Sequence, residues 1–292
     1  MSSFPVEQIS GIYHRKVGDI VVTAISDGYI DGNLDLLRNV DVDQARRVLV
    51  DAFRPVRRVS INAFLVRTKG GSVLIDTGTG GSMGATNGWI ARNLVAAGVD
   101  AKDVGAVLLT HMHPDHSAGL TDTSTGRPKF PNAELVMHEA EPRYWLDDAA
   151  LARAPNDGAR SMFEHSRAQI TPYKGRTRLF SGGEVFPGIV AMPIPGHTPG
   201  HTGYLISSDG QQLLIWGDVV HVPEIQVALP DTGTNFDVDF EVARMSRKRV
   251  LDQVASDRLL VAGMHLHYPG FYHVARQGEG YVLHAEAWQH AL

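Results

Sequence analysis

The sequence predicts a four-layer α/β/β/α sandwich, in which two mixed sheets pack face to face and helices cover the outer surfaces. Three observations predict it. The chain has 292 residues, 43% hydrophobic and 20% charged, which supports a sizeable core and excludes a disordered or coiled-coil chain. Apolar, β-branched runs bounded by Gly, Asp and Pro recur along it. These runs come in hairpin-like pairs with helical periodicity between the groups, not in a regular βαβ alternation.

In chain order, residues 19–25 read as the first strand and 42–52 as a helix. Strands 61–67 and 72–75 form a hairpin across 68–71, and a helix follows at 88–97. Strands 104–109 and 134–137 precede helices 139–148 and 159–168. The stretch 154–181, punctuated by Gly and Pro, reads as an excursion from the core that contributes to a substrate wall. Strand 189–194, the hairpin 202–206 with 212–216, helix 240–255 and strand 258–262 complete the pattern. No repeat or low-complexity linker divides the chain, so 1–292 reads as one domain in which 1–60 is an N-terminal extension.

Composition narrows the function. There is no cysteine, so a metal must be held by histidine and carboxylate, and fourteen histidines are available. A net charge of −5 argues against nucleic acid as partner. No apolar run approaches a membrane span, and the first ten residues lack a basic or apolar leader pattern, so a cytoplasmic protein acting on a small molecule is expected.

After strand 104–109 the chain reads Thr110-His111-Met112-His113-Pro114-Asp115-His116. His111 and His113, two apart in extended backbone, face the same side and can share an ion. Pro114 turns the chain so that Asp115 and His116 face a neighbouring position. Three imidazoles and a carboxylate in six residues have no good packing explanation.

This His-x-His-x-Asp-His run is similar to that of the metallo-β-lactamase superfamily of dinuclear metallohydrolases. The remaining motifs follow in order: Asp76-Thr77-Gly78 after a strand, Pro195-Gly196-His197 through His201, Gly217-Asp218, and Gly263-Met264-His265. The resemblance implies the metallo-β-lactamase fold and two divalent ions, with Zn expected and Mn, Fe or Co compatible. His111, His113 and His197 would hold one ion and Asp115, His116 and His265 the other, with Asp218 bridging. Asp76 would brace the histidine loop and His201 would support the site without coordinating. Hydroxide is the expected nucleophile, with Asp115 and Asp218 at the catalytic centre.

The branch resembled most is that of methyl parathion hydrolase and its lactone- and arylester-cleaving relatives, through residues 61–65, 130–133, 144–146, 265–270 and 279–281. It implies Trp145, Met83, Met162 and Phe236 around the substrate, and His221, three residues past Asp218, as donor to the leaving group. With Met at 83 and 162 the pocket is less aromatic than in phosphotriesterases, which favours a lactone or an aryl or alkyl carboxylic ester. An organophosphate triester hydrolase, and a metal-dependent oxidoreductase or sulfur dioxygenase on the same scaffold, are the competing expectations. His267 competes with His265 for the last ligand position, since both can point inward from one strand. Analogy with the branch and the apolar Leu34, Leu36, Leu37, Val40, Val42, Val48 and Leu49 suggest a homodimer, although these residues can equally cover their own sandwich.

Overall fold

A computed structural model describes Phe4, Gln8, Ile9 and residues 11–292. Most of the decapeptide read for a leader lies outside the described residues. The fold is the expected sandwich of two seven-stranded sheets, each with its strands side by side in chain order. The first contains β1 (Ile12–Val17), β2 (Ile20–Gly32), β3 (Arg57–Thr68), β4 (Gly71–Ile75), β5 (Ala106–Leu108), β6 (Glu134–His138) and β7 (Thr177–Phe180). The second contains β8 (Gly183–Phe186), β9 (Ile189–Pro193), β10 (Thr202–Ser208), β11 (Gln211–Ile215), β12 (Leu260–Ala262), β13 (Phe271–Gln277) and β14 (Gly280–Ala285). Both sheets are mixed: β4, β5, β6 and β7 run parallel in the first, and β11 and β12 in the second.

Alternation along the central strands explains the layering. Val73 and Ile75 enter the core between the sheets while Leu74 packs under helices, and Leu213, Leu214 and Ile215 divide the same way. The outer layer on the first sheet is formed by α2 (Ile90–Ala96), α4 (Ala140–Trp145) and α6 (Asp157–Ile170), and that on the second by α8 (Phe240–Ser256). Among the described residues no helix is long and apolar enough to cross a membrane.

Three local expectations are corrected. The expected helix 139–148 is two short ones, α4 and α5 (Asp148–Ala152), because the Asp147 side chain accepts from Ala149 N and starts a new helix. The stretch 154–181 is not an excursion: α6 buries Phe163, Ser166 and Gln169, and β7 joins the first sheet. Within 1–60, β1, β2 and the start of β3 are sheet strands, not an extension. Between β2 and β3 an arm carrying α1 (Val42–Asp51) leaves the two large sheets; its Leu37 and Arg38 pair with Thr234 and Gly233, and its Leu37, Ala45 and Leu49 pack on Val222 and Ile225 beside α7 (Pro223–Gln226) of the same chain.

Candidate metal centre

The chemistry-bearing residues sit where strands end. Asp76 follows β4, and residues 110–116 follow β5 and enter the short helix α3 (Pro114–Ser117), with Pro114 at its first position. His197 and His201 lie on the loop between β9 and β10, Asp218 follows β11 and His265 follows β12. The ends of strands in two facing sheets thus converge on one point, where loops can present side chains without interrupting the ladders.

Two nitrogen and oxygen sets result. His113 Nδ1 lies 3.0 Å from His111 Nε2 and 2.9 Å from His197 Nε2. Asp115 Oδ2 lies 3.5 Å from His116 Nε2 and 3.3 Å from His265 Nε2. Asp218 Oδ2 stands between the sets, 3.8 Å from His111, 3.3 Å from His197, 3.2 Å from His116 and 3.1 Å from His265, each to Nε2. These side chains are buried except Asp115, which is partly open to solvent.

The backs of the rings show which nitrogens are free. Asp76 accepts from His116 Nδ1 at 2.7 Å and from Thr110 N and Oγ1, each at 2.8 Å. Because the Thr110 hydroxyl donates to Asp76, it accepts from His111 Nδ1 at 3.1 Å. Asp237 accepts from His197 Nδ1, and the Ser60 carbonyl accepts from His265 Nδ1. In the neutral tautomers these bonds set, each Nε2 presents a lone pair inward. The inward His116 Nε2 and the Asp218 Oδ1 are buried without a hydrogen bond. Facing lone pairs and orphaned buried donors of this kind fit divalent cations held by nitrogen and oxygen.

Without cations the cluster titrates as a coupled group. Burial opposes charge on His197, but its bonds to Asp218 and Asp237 outweigh it and hold the pKa at about 9. Burial likewise opposes charge on His265, where Asp218 and Asp115 raise it to about 10. His201 is different: burial pushes it down to about 3, its Nδ1 donates to the Ile194 carbonyl, and its Nε2 accepts from Asp218 N at 2.8 Å. It therefore fixes the backbone that carries Asp218. Gly217 allows this approach, since a Cβ there would fall 2.4 Å from His201 Nε2.

His265 and His267 are separated by their partners. His265 faces Asp218, whereas His267 Nε2 pairs with Glu224 Oε1 at 2.5 Å in a second cavity that Arg54 also lines. Asn62, from β3, holds the turn between them by donating to the Gly263 and Leu266 carbonyls.

A cavity of about 410 Å³ opens above the cluster, lined by His113, Asp115, His197, Asp218, His221 and His265, with Met83, Met162 and Phe236 in its walls. Trp145 is not among them, which corrects its expected pocket role. Helix α4 turns it into the core behind the ligand loop, its ring edge-on to His113 with centroids 5.4 Å apart. The Trp145 indole donates to a residue that the sequence reading missed, Glu141, whose fully buried carboxylate also accepts from Met112 N, Thr198 Oγ1 and Gly200 N. Glu141 thereby ties the 111–116 and 195–201 loops together. The available signal was an acid four residues before Trp145, on the same helical face. Asp237 was missed as well; its spacing from His197 carries no local signal.

Residues 56–265 match the family model described as the metallo-beta-lactamase superfamily. The crystal structure of the hydrolase AbOPH, of the beta lactamase superfamily, is 30% identical with a TM-score of 0.91, covering 97% of this chain and all of that one. AidC, a dizinc quorum-quenching lactonase solved with its product N-hexanoyl-L-homoserine, is 27% identical with the same TM-score and coverage. An N-acyl homoserine lactonase of a Bacillus species is 25% identical over 219 residues, 68% of this chain and 78% of that one. Other curated relatives matched at 27–28% identity are spanned for only 56–61% of their length. The chain belongs to the metallo-beta-lactamase superfamily.

Proposed function

We propose that the chain is a dinuclear hydrolase that opens a lactone or cleaves a carboxylic ester. One observation carries the reading: Asp218 Oδ2 lies within 3.8 Å of ring nitrogens of five histidines on the floor of an otherwise largely apolar cavity. Bound there, two divalent ions, zinc by the donor set, would lower the pKa of a shared water toward about 7 and stabilise an oxyanion. His111, His113 and His197 form one cage and Asp115, His116 and His265 the other, with Asp218 common to both. Asp76 and Asp237 orient the rings, and the apolar walls exclude bulk water. His221 stacks on His265, its Nε2 3.1 Å from Asp218 Oδ2. Burial pushes its pKa down to about 4, so the ring is neutral at pH 7 and assists the leaving oxygen through an N–H hydrogen bond.

Among the described residues Phe236 is the one aromatic wall of the cavity apart from histidine rings, so an aryl phosphotriester finds little stacking surface, and alkyl lactones or esters fit better. Lactone chemistry in AidC and the Bacillus enzyme supports this choice. We also infer a homodimer through the arm, where Val50, Phe53 and Val56 are exposed. The test is metal analysis with a panel of lactones, aryl esters and aryl phosphotriesters. Two equivalents of metal and highest kcat/KM on lactones are expected. A preference for the phosphotriesters, or a single iron with oxidation of a thiol substrate, overturns the reading.

A further inference from the structure

Five histidine rings face Asp218, and four of them are held from behind by a hydrogen bond at Nδ1. The fifth, His221, is not: its Nδ1 is buried without a partner among the described residues, and its ring packs against those of His265 and His197, with centroids 5.2 and 4.7 Å away. Its direction is therefore set by the main chain that carries it, which at 221 belongs to neither strand nor helix. One side chain holds that main chain. Gln226, fully buried at the end of α7, accepts from His221 N at 2.6 Å and from Val222 N at 2.9 Å through Oε1, and donates from Nε2 to the Thr232 carbonyl at 3.2 Å. Among the described residues neither amide has a backbone acceptor. Buried N–H groups need an acceptor, so the shape of the loop depends on this one amide oxygen. Helix α7 is fixed in turn, since a single turn is not stable by itself. Ile225 packs with Leu37, Ala45 and Leu49 of the arm, and Glu224 pairs with Arg54 Nε at 2.8 Å and with His267 Nε2 at 2.5 Å. His267, which stands outside the Asp218 cluster, thus belongs to the clamp on α7.

We propose that Gln226 is the positioning residue of His221: its amide oxygen fixes the main chain at 221 so that the imidazole stays beside Asp218, where the leaving oxygen forms. On the hydrolase reading above, on which this rests, His221 assists that oxygen. Gln226 does not itself line the cavity and acts through His221. The metal cluster is anchored separately. Asp218 N donates to His201 Nε2, and the Val219 carbonyl accepts from Arg247 Nε at 2.8 Å. Loss of the Gln226 oxygen therefore releases residues 221 and 222 and leaves the Asp218 cluster in place.

The test uses the zinc-loaded full chain with an alkyl lactone, whose alkoxide needs help in leaving, and a nitrophenyl ester, whose phenolate does not. Gln226→Met keeps the bulk and removes the acceptor. It is expected to lower kcat on the alkyl lactone about five- to tenfold, approaching the loss in His221→Leu, with KM and zinc content unchanged. On the nitrophenyl ester the change is expected to stay within about twofold. In a His221→Leu background the same substitution is expected to cost less than about twofold more, because nothing is left to position. Gln226→Glu, which keeps an oxygen for both amides, is expected to recover most of the loss. If Gln226→Met does not fold, Gln226→Asn, whose oxygen falls short of residue 221, takes its place with the same expected pattern. Nuclear magnetic resonance reads the positioning without turnover: the His221 amide and ring signals, identified by their absence in His221→Leu, are expected to shift in Gln226→Met while those of the other Asp218-facing histidines stay. Equal losses on both substrates, a full further loss in the double variant, or unmoved His221 signals overturn the proposal. If wild type cleaves neither substrate the hydrolase reading falls, and the His221 signals still decide whether Gln226 holds the ring.

Discussion

Glu141→Gln tests whether the buried carboxylate holds the two ligand loops in place. Oε1 accepts from Thr198 Oγ1 and Gly200 N, and Oε2 from Met112 N and Trp145 Nε1. Glutamine keeps the shape and replaces one oxygen by a donor. If the amide nitrogen faces Thr198, the hydroxyl can rotate to accept, but Gly200 N loses its partner. If it faces Met112 and Trp145, both of those donors lose theirs. A buried donor left unsatisfied costs about 1–3 kcal/mol, and the remaining bonds lose their charge assistance. Relief of the carboxylate's desolvation, which raises its pKa, offsets part of this. The expected loss is about 2 kcal/mol, measured by denaturant unfolding in chelator. Because the bonds to Met112 and Gly200 position the backbone beside His111, His113 and His197, metal affinity should fall about 10–100-fold in competitive zinc titration. Stability within about 0.5 kcal/mol of wild type together with unchanged zinc affinity would refute the reasoning.

Other outcomes follow from the same geometry. His265→Ala should lose one metal equivalent by elemental analysis, whereas His267→Ala should keep both, because Glu224 holds His267 away; the reverse result reassigns the ligand. His221→Leu should lower kcat for an alkyl lactone about tenfold, the low end of acid–base effects, with a much smaller change on an activated phosphotriester that needs no help in leaving. Equal losses would mean that His221 supports the site instead. In the metal-free chain, His197 and His265 are raised to about 9 and 10 from an unfolded value near 6.5, so their stabilisation is complete below 6.5 and is lost as pH rises through 9 to 10. Zinc-loaded protein should gain stability from pH 6 to 8, since coordination needs the unprotonated rings; His201 and His221, pushed down to about 3 and 4, add stability only until pH passes the unfolded value near 6.5, so in chelator the denaturation midpoint should fall above about pH 7, and a metal-free midpoint that keeps rising from pH 7 to 9 contradicts the coupling. Light scattering at micromolar concentration should return twice the chain mass of 31.8 kDa, and the single-chain mass would remove the dimer.

Much of the fold was legible because it is written locally. Residues 73–75 and 213–215 alternate between two buried layers, and that alternation marks them as central strands. Strand β1, the edge strands β7, β8 and β14, and β13 beside β14 were not legible. Their residues are half-exposed and include His14, Arg15, Arg178 and Glu184, so the apolar period is weak where only one face meets the core.

The sequence by itself determined the inventory of the candidate site, because His111 to His116, His197, Asp218 and His265 each follow a strand end in local patterns that need no knowledge of distant residues. Tertiary structure alone decided what those patterns leave open. His265 and His267 are equivalent by spacing, and they part because Ser60, more than 200 residues away, and Glu224 each claim one ring. Trp145 could face substrate or core, and Glu141, whose other bonds lead to Met112, Thr198 and Gly200, draws it inward. The physical reason is common to both. A side chain's type sets which bonds it can make, but its direction is settled by partners that only the closed sandwich brings within hydrogen-bond reach.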